Sequence, residues 1–548
     1  MKRLLYSIIP PLLIVTFILS ACSIQAEDAS LSAIFTPKRA RVSNCNYGGE
    51  IKSVEAVDQY IVKFTLCSPD SVFPYKMAAP IFAVQDDEVL SKYGGDSELL
   101  SQNLNTTGPF RVISNIKYGN LELYYSNSYW GITPAIDYLV FKFSNYPGTD
   151  PSIYELSNSD IYRTYWMKEQ LSESVSSSGQ FTKSSRQLTN LVYLGFNNKI
   201  APMNDQKVRQ AIATLVNRNS LVDRDFPVGS RSANQIVPLG IAGHSENNVW
   251  YSPNSLETKS QLQMAKYDFS QELTLAYQDE STELLPSPEK IAIEIQSEFA
   301  QIGINVKLKP MSEADYSSAL ENGTEMMFLS SFTAAYPDGA AFYEIPFLRQ
   351  AAQFGETYTD ILDGLKAVQS QTDYNSRQAK FDELNQIVKK ESPLVPIGSV
   401  SRWSYFKTNL ANTAVNGYYD DLEKLTNHST RVLILQKERP QSLWPADETS
   451  YDTFNITRLM YDTLTSYDFL TNDLDPDLAE KWVSNADATE WTFTLRYGVK
   501  FTNGSILDAN DVVSSFSAIW NSADPNHKGR TGDFTLFKQL FGPLAEIK

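Results

Sequence analysis

The spacing of apolar residues near the end of the chain predicts a strand, two turns and a helix. Trp491, Phe493 and Leu495 alternate with polar residues, which is the period-2 pattern of a half-buried strand. The pairs Tyr497-Gly498 and Asn503-Gly504 are typical of turns. The next residues predict a helix that Asp508 can cap, with apolar residues at helical spacing: Ala509, Val512, Val513, Phe516 and Trp520.

Other segments show the same mixture of strands and helices. Ile51 to Val57 and Tyr60 to Leu66 read as the two strands of a hairpin, and Leu191 to Phe196 as an apolar strand. A helix is predicted from Ser287 to Gly303, because Pro288 suits its first turn and Gly suits its end. The fold class is therefore α/β, and a chain of 548 residues is too long for one compact core.

The N-terminus has the pattern of an export signal. Lys2 and Arg3 precede an apolar run from Leu4 to Leu19, which is shorter than the ~20 residues that a membrane span needs. The run ends in Leu19-Ser20-Ala21-Cys22, which looks like a bacterial lipobox with Cys22 as the lipidated residue. We therefore predict a signal peptide over 1–21, a tether over 22–48 and an extracytoplasmic protein, in the periplasm or at the cell surface, held to the membrane by lipid.

Composition and motifs narrow the function classes. With 64 acidic and 47 basic residues, the net charge of -17 argues against a nucleic-acid partner. The histidines His244, His428 and His527 have no metal-ligand spacing, and no G-x-S-x-G, H-E-x-x-H, C-x-x-C or P-loop pattern occurs. The sequence therefore predicts no catalytic residue, no metal and no cofactor.

Two cysteines remain if Cys22 carries lipid. Cys67 directly follows the second strand of the hairpin, whereas Cys45 lies several residues before the first strand. An oxidising compartment would preserve a disulfide between them. A Cys45–Cys67 disulfide and two separate thiols both fit the sequence.

Several motifs resemble the family 5 extracellular solute-binding proteins, the peptide- and nickel-type receptors of ABC importers. The run from Leu478 to Val513 resembles the family's signature segment, and the resemblance covers almost everything after residue 48. Further stretches that look like family landmarks are Thr107 to Phe110, Asn127 to Gly131, Phe196 to Asn198, Val208 to Ala211, Gly303 to Val306, Tyr336 to Asp338 and Pro393 to Pro396.

This resemblance implies a two-lobed, periplasmic-binding-protein-like (Venus flytrap) fold that traps ligand between hinged lobes. The expected protein is a monomer that delivers a peptide or other small organic solute to an ABC permease, without chemistry. By position, 49–119 with 476–548 would form a subdomain of lobe 1. Residues 120–222 with 400–475 would form lobe 1 itself, and 223–399 would form lobe 2.

The order of the motifs differs from the family's order. The signature lies near the end of this chain, and Arg431 to Leu435 resembles the family's first mature strand, so the order implies a circular permutation. The last residues, Glu546 to Lys548, repeat Glu50 to Lys52. The permutation predicts that the helix from Asp508 lies beside the hairpin from Ile51, with Lys548 close to Lys52. A misassembled gene and one piece of a tandem pair are the alternatives.

The resemblance also implies a ligand-binding edge. Peptide-binding members hold the peptide as an added strand, and the matching edge here contains Ser331, Phe332, Thr333 and Ala335 and leads into Tyr336 and Asp338. Asn197 and Asn198 match cleft residues of the family, and an Asn side chain offers both a donor and an acceptor. A simple turn after a strand also explains the Asn pair.

Ala335 departs from the family pattern. Oligopeptide and dipeptide receptors usually carry Asp at this position, where the carboxylate pairs with the α-ammonium of the peptide. Either another acid substitutes, with Asp338 as the candidate, or the ligand has no free amino terminus. The first hypothesis is a peptide-like ligand, the alternative is an oligosaccharide or other organic solute stacked on Trp and Tyr, and an enzyme or adhesin ranks third.

Overall fold

The computed structural model describes residues 35–115, 119–143, 152–164, 169–245, 250, 252–427 and 430–547. The chain divides into two compact units, Met1–Thr36 and Pro37–Lys548, and the elements below belong to the second. The predicted signal peptide and Cys22 lie outside the described residues. Within those ranges, none of the helices combines the length and apolar character that crossing a bilayer requires.

The strands of the described residues are short and spread along the chain. They are β1 (Arg39–Arg41), β2 (Ile51–Asp58), β3 (Ile61–Leu66), β4 (Phe110–Asn115), β5 (Leu121–Tyr125), β6 (Tyr138–Phe143), β7 (Ile161–Thr164), β8 (Phe181–Ser185), β9 (Asn190–Phe196), β10 (Arg231–Ser232), β11 (Glu272–Gln278), β12 (Asn305–Met311), β13 (Met327–Thr333), β14 (Leu394–Ser399), β15 (Trp403–Lys407), β16 (Arg431–Gln436), β17 (Thr465–Tyr467), β18 (Leu474–Pro476), β19 (Ala479–Ser484) and β20 (Glu490–Leu495).

The α-helices of the described residues alternate with these strands. They are α1 (Phe73–Lys76), α2 (Asp87–Tyr93), α3 (Ser97–Gln102), α4 (Ile153–Ser157), α5 (Glu169–Ser177), α6 (Gln206–Ala213), α7 (Arg218–Asp225), α8 (Ser255–Met264), α9 (Pro288–Gln301), α10 (Glu313–Glu321), α11 (Gly339–Glu344), α12 (Thr359–Gln369), α13 (Tyr374–Glu391), α14 (Tyr451–Thr457), α15 (Ala509–Trp520) and α16 (Thr535–Phe541).

Three sheets organise the second unit and define the names used below. The subdomain contains the sheet β1-β2-β3-β20-β19, lobe 1 contains the sheet β4-β5-β6-β16-β7-β15-β8, and lobe 2 contains the sheet β10-β14-β9-β13-β11-β12. Parallel and antiparallel pairs occur together in lobe 1 and in lobe 2, with β11 and β12 parallel and β9 and β13 antiparallel. The predicted α/β class is confirmed.

The subdomain brings the end of the chain beside the hairpin near its start. Strand β20 pairs with β3, and α15 packs on the same sheet, where the Phe516 ring lies 5.1 Å from that of Phe64. The backbone N–H of Glu50 donates to the carbonyl of Phe541 at 2.9 Å. The helix after Asp508 and the hairpin from Ile51 are therefore neighbours, as the sequence predicts. Lys548 lies outside the described residues, so its proximity to Lys52 stays a prediction.

The predicted tether is wrong over its last part. Arg39–Arg41 forms β1 and pairs with β2, and the Lys38 ammonium forms an ion pair with Asp87. Ala40 and Val42 are buried because they extend the apolar face of the subdomain sheet. The folded subdomain therefore already includes residues that the sequence analysis assigned to 22–48.

Cys45 and Cys67 are joined by a disulfide. The stretch between Cys45 and β2 reverses direction, with the N–H of Gly48 donating to the carbonyl of Cys45 at 3.4 Å. The N–H of Cys67 donates to the carbonyl of Glu50 at 2.7 Å. This fold-back brings Cys45 to the end of β3, although the two cysteines are not cross-strand partners of the hairpin.

Two predicted domain boundaries are wrong. Strand β9 lies between β14 and β13 in lobe 2, so lobe 2 begins at Asn190 rather than at 223. Every residue of β9 is buried, as a central strand covered on both faces requires. Strand β4 pairs with β5 in lobe 1, although 49–119 was assigned to the subdomain. The chain therefore crosses between the two lobes at 186–190 and at 400–402.

Candidate functional site

Strand β13 has one side that is only partly paired. It pairs with β9 along its whole length, whereas β11 reaches only Met327 and Phe328 on the other side. From Leu329 onward, none of the described strands covers that side. The hydroxyl of Tyr316 donates to the carbonyl of Leu329 at 2.6 Å, which marks where the paired part ends.

One hydrogen bond just after β13 shows which backbone N–H and C=O groups of this strand face β9. The N–H of Ala334 donates to the carbonyl of Thr189 at 2.7 Å, so alternate residues before Ala334 face β9. Ser331 and Thr333 therefore direct their backbone N–H and C=O toward the unpaired side. The side chains of Ser331, Thr333 and Ala335 are half-buried. This edge has the geometry that an added strand requires.

The predicted residue Phe332 belongs to the interior of lobe 2. Its side chain is buried and its ring lies 5.7 Å from Phe342 and 6.1 Å from Tyr193. Because side chains alternate across a strand, Phe332 points away from the face that Ser331 and Thr333 share. Phe332 therefore packs in the interior of lobe 2, on the opposite face of β13.

Charged groups meet at the end of this edge. The Arg402 guanidinium donates to the hydroxyl of Thr333 at 2.7 Å and lies 3.6 Å from the Glu283 carboxylate. Burial raises the pKa of Glu283, and Arg402 opposes that rise. Arg402 stands in a crossover between the lobes, and Glu283 follows β11 in lobe 2. The edge therefore ends in a polar corner at the junction of the two lobes.

Tyrosines of lobe 1 and the subdomain cover the same junction. The hydroxyl of Tyr418 donates to the carbonyl of Ala334 at 2.9 Å. Its ring stacks on Tyr451 at 5.9 Å and lies 6.1 Å from Tyr467, which in turn stacks on Tyr75 at 6.3 Å. Tyr418 and Tyr467 are buried in this packing, whereas Tyr75 and Tyr451 are partly exposed and offer flat, partly polar surfaces at the junction.

The structure corrects the role suggested for Asp338. Its carboxylate accepts two hydrogen bonds from Arg377, at 2.6 and 2.7 Å, and another from the N–H of Ala340 at 2.8 Å. A carboxylate in a bidentate pair with Arg is already neutralised and cannot take the place of the Asp that Ala335 replaces. The neighbouring Tyr336 is also buried, and its hydroxyl donates to Glu344 at 2.8 Å.

The Asn pair lies at the other end of the β9–β13 ladder. Phe196 stands opposite Met327 and Asn190 opposite Thr333, so Asn197 and Ala335 are separated by the length of the ladder, roughly 20 Å. The Asn197 amide donates to the carbonyl of Gly323 at 2.8 Å and accepts from the N–H of Lys199 at 3.0 Å.

Asn198 exchanges hydrogen bonds with the backbone of Glu356, accepting at 2.6 Å and donating at 3.1 Å. The structure thus does not bring the Asn pair and the edge together. These contacts are those of a simple turn after a strand, which was the alternative explanation for the Asn pair.

A buried cluster of charges joins the subdomain to lobe 2. The Lys76 ammonium, which has no exposed surface, lies 2.9 Å from Asp70, 3.0 Å from Glu344 and 3.5 Å from Glu50. Glu50 also pairs with Arg349. Burial works against the charged form of Lys76, but the three carboxylates outweigh it and raise the pKa of Lys76. Burial raises the pKa of Asp70 to about 6.

A cavity of about 1060 Å³ lies beside this junction and shares Tyr467 with it. Its lining comes from lobe 1 and the subdomain, and includes Trp130, Tyr461, Asp462 and Arg496. The predicted residues from Ser331 to Asp338 do not line it. At the β13 edge, by contrast, the lobes are in contact through Tyr418, Arg402 and Lys76.

Sequence reasoning missed the groups that meet the edge from outside. Tyr418, Arg402 and Glu283 lie far apart in sequence and come together only because the chain crosses between lobes twice. Tyr418-Tyr419 gives only a weak signal in the sequence, because the chain has 30 Tyr and a second such pair at Tyr124-Tyr125. Arg402 and Glu283 carry no local signal of this kind.

Two lobes joined by a double crossover, with an unpaired strand edge at their junction, define a two-lobed binding protein. The model of the bacterial extracellular solute-binding proteins, family 5 middle, matches residues 24–353 and 473–538. The chain belongs to this family. The predicted resemblance is confirmed.

Relatives of known name agree with this assignment. The dipeptide-binding protein of Escherichia coli (strain K12) is 22% identical over 355 residues, which cover 63% of this chain and 66% of that protein. The peptide transport periplasmic protein SapA of Haemophilus influenzae is 25% identical over 398 residues, covering 67% of this chain and 65% of that protein. The chain thus spans about two thirds of the length of these relatives.

Solved structures confirm the two-lobed α/β fold. HbpA2 from Haemophilus parasuis superposes with a TM-score of 0.63 at 23% identity, covering 70% of this chain and 76% of that protein. A dipeptide binding protein from Pseudoalteromonas in complex with Met-Leu superposes with a TM-score of 0.54 at 18% identity, covering 69% and 76%.

Proposed function

We propose that the protein is a lipid-anchored extracytoplasmic receptor of an ABC importer, which captures a peptide or peptide-like ligand between lobes 1 and 2. The observation that carries the proposal is the unpaired side of β13. Ser331 and Thr333 offer backbone donors and acceptors there, and they lie at the junction of the lobes. A peptide added as a strand satisfies these groups whatever its side chains are, which suits a receptor of broad specificity.

Capture is a binding event coupled to closure. A ligand selects the closed state only if it contacts both lobes. The edge belongs to lobe 2, while Tyr418 and Tyr451 reach it from lobe 1. Membership in a family of receptors supports a protein that binds and releases its ligand unchanged.

A second candidate ligand is an oligosaccharide or another organic solute. The partly exposed rings of Tyr75 and Tyr451 favour it, because sugars stack on aromatic faces. Ala335 also favours it, since no carboxylate stands at that position to pair with an ammonium. Asp338 does not substitute, because Arg377 holds its carboxylate.

Mass spectrometry of the molecules that copurify with the full-length protein tests the proposal. A ladder of short peptides is the expected result. A sugar as the main copurified species would replace the peptide proposal with the second candidate. The lipid anchor has a separate test: the substitution Cys22→Ala should move the protein from the membrane fraction to the soluble fraction.

The order of the segments also enters as a proposal. We infer a circular permutation, because β20 and the hairpin β2–β3 share one sheet and Glu50 bonds to Phe541. Mass spectrometry of the native protein distinguishes the alternatives. In a permuted chain the connection from Tyr419 to Thr430 would be the new linker between the old termini. The tryptic peptide 425–431 covers the end of that linker, and its absence would favour a misassembled gene. An intact mass that exceeds one chain would favour a tandem pair.

A further inference from the structure

The cavity of about 1060 Å³ lies beside the junction and shares the ring of Tyr467 with it. It lies between lobe 1 and the subdomain, and none of its lining residues belongs to lobe 2. Its volume is in the range of sites that hold small organic molecules. The lining comes from the segments 129–135, 412–424 and 457–477, with Ala78, Pro80, Ala83 and Arg496.

Three buried polar groups on the lining have no hydrogen-bond partner among the described residues. They are the amide nitrogen of Asn416 and the hydroxyls of Thr457 and Tyr461. The orientation of Asn416 is fixed, because its side-chain oxygen accepts from the N–H groups of Tyr418 and Tyr419 at 2.8 and 2.7 Å. These three atoms have almost no accessible surface, so they lie behind the wall of the cavity and not at its surface.

The charges of the lining favour a cation. Of its acids, Glu423 pairs with Arg458 at 2.8 Å and Asp421 with Lys424 at 3.5 Å. Asp462 and Asp477 have no cationic group within ion-pair distance among the described residues. They accept hydrogen bonds instead, from the Trp130 indole at 2.9 Å and from the N–H of Thr463 at 3.0 Å.

Asp462 and Asp477 have raised pKa values for the same reason. Burial raises the pKa of Asp462 to about 7, and burial with the nearby Asp462 raises that of Asp477. Glu423 raises both further, while Arg458 opposes the rise at Asp462 and Arg496 opposes it at Asp477. An ammonium between the two carboxyl groups would relieve this repulsion.

Aromatic rings complete the lining, and two of them make cation–π contacts with arginine side chains. The Arg496 guanidinium lies 4.8 Å from the centre of the Trp130 ring, and the Arg458 guanidinium 4.9 Å from that of Phe469. Ile132 and Leu470, which are almost fully exposed, add apolar surface to the lining. The site therefore combines anionic, aromatic and apolar surfaces.

We propose that this cavity is a second binding site, separate from the β13 edge, which takes a small primary amine with an aromatic or aliphatic body. The ammonium lies between Asp462 and Asp477, and the body lies against Trp130 and Tyr461.

Isothermal titration of the full chain with 2-phenylethylammonium tests the charge requirement. The expected result is saturable binding at millimolar concentrations or below, with binding of the neutral analogue 2-phenylethanol weaker by at least about tenfold. This comparison uses the unaltered protein, so it does not depend on whether a variant folds. Absence of saturation, or equal binding of the two compounds, would overturn the proposal.

Substitutions and hydrogen exchange test where on the protein the amine binds. Asp462→Asn keeps the size of the side chain and should weaken amine binding by about tenfold or more, whereas Asp360→Asn on the exposed surface of α12 should leave it unchanged. Amine binding should slow exchange in 129–133 and 457–463 and should persist in Ser331→Pro, which removes a backbone N–H from the β13 edge. Slowed exchange confined to 329–338, or loss of amine binding in a folded Ser331→Pro, would assign the amine to the β13 edge and overturn the second site.

Discussion

Ala335 is the side chain on which the choice of ligand depends most. It shares a half-buried face with Ser331 and Thr333 beside the unpaired backbone of β13. Family members that bind peptides usually place a carboxylate at this position, and the one acid proposed to replace it, Asp338, is held by Arg377. The cleft therefore offers an ammonium no free carboxylate from these two positions.

Wild-type protein should bind a short peptide and its N-acetylated form with equal affinity, because neither gains an ion pair at Ala335. In Ala335→Asp, the free peptide should bind at least about tenfold more tightly than the acetylated peptide, because its ammonium then has a carboxylate partner in the closed cleft. Titration calorimetry with both peptides measures the ratio. Ala335→Asn is the matched control, and a strong preference of the wild type for the free peptide would contradict the argument.

Asp462 should make stability depend on pH. Burial raises its pKa in the folded protein to about 7, whereas an Asp in an unfolded chain titrates near about 3.9. The folded state therefore binds this proton more tightly, and the resulting stability is present below about pH 4 and lost as the pH rises through about 7. Glu423 raises the pKa of Asp462 further, whereas hydrogen bonds with Trp130 and Thr107 and the charge of Arg458 oppose the rise.

Asp462→Asn replaces the titrating carboxyl group with a neutral amide and keeps an oxygen that can accept the hydrogen bond from Trp130. The variant and the wild type should have similar unfolding free energies near pH 4, and the variant should be more stable by a few kcal/mol near pH 8. Urea unfolding at both pH values measures the difference. A constant difference across this range, like that expected for the exposed Asp360→Asn, would show that Asp462 does not titrate as stated.

Single side chains were the least predictable part of the site. Lys76 follows Pro74 and Tyr75 in an unremarkable stretch, yet it is fully buried because Asp70, Glu50 and Glu344 surround it. The four residues come from segments that only the tertiary fold brings together. Likewise, nothing near Asp338 in sequence indicates Arg377 as its partner.

Secondary-structure elements were more predictable, because their signals are local. Helix α9 covers Pro288–Gln301 and is followed by Gly303 with a positive φ of 89°, as the stop signal indicates. Ser287 nevertheless makes no side-chain capping bond. Asp508 does cap α15, accepting from the N–H of Asn510 at 2.8 Å. Which sheet β9 joins was not predictable, because an apolar strand fits the interior of either lobe.

The unpaired side of β13 can be tested with proline, which removes one backbone N–H. Ser331→Pro deletes an N–H on the unpaired side and should leave the fold intact while weakening ligand binding by about tenfold or more. Ser330→Pro deletes an N–H that faces β9 and should destabilise the protein by about 3 kcal/mol or more.

The two proline variants are compared by thermal unfolding and by titration with the copurified ligand. The expected pattern is a folded Ser331→Pro that binds weakly and a destabilised Ser330→Pro. If Ser331→Pro binds the ligand as tightly as the wild type does, the backbone of this edge does not hold the ligand.

The subdomain and lobe 2 are held together by the charges around Lys76. Removing one partner of a buried ion cluster leaves the others without compensation. Lys76→Met keeps the length and apolar stem of the side chain and should lower the unfolding free energy by about 3–5 kcal/mol at neutral pH.

Denaturant unfolding measures the effect of Lys76→Met, with Lys380→Met as the control. Lys380 pairs with Glu383 at 2.8 Å on an exposed helix surface, and its loss should cost less than about 1 kcal/mol. Equal effects of the two substitutions would show that the Lys76 cluster contributes little to holding the subdomain and lobe 2 together.

The arrangement of the two lobes followed from the family resemblance, while the positions of the crossovers did not. The strand order near 190 and 400 depends on pairing between distant segments, β9 with β13 and β14. Those pairings place Thr333 beside Arg402 and Ala334 beside Tyr418. The proposed receptor function therefore depends on contacts that form only when both lobes are folded and joined.

Hydrogen exchange with and without a mixture of tri- to pentapeptides tests most directly whether ligand is held between the lobes. We predict slower exchange in two regions at once, 329–338 of lobe 2 and 402–419 at the lobe 1 side of the junction. Slower exchange in one lobe alone, or no change in either region, would contradict capture between the lobes.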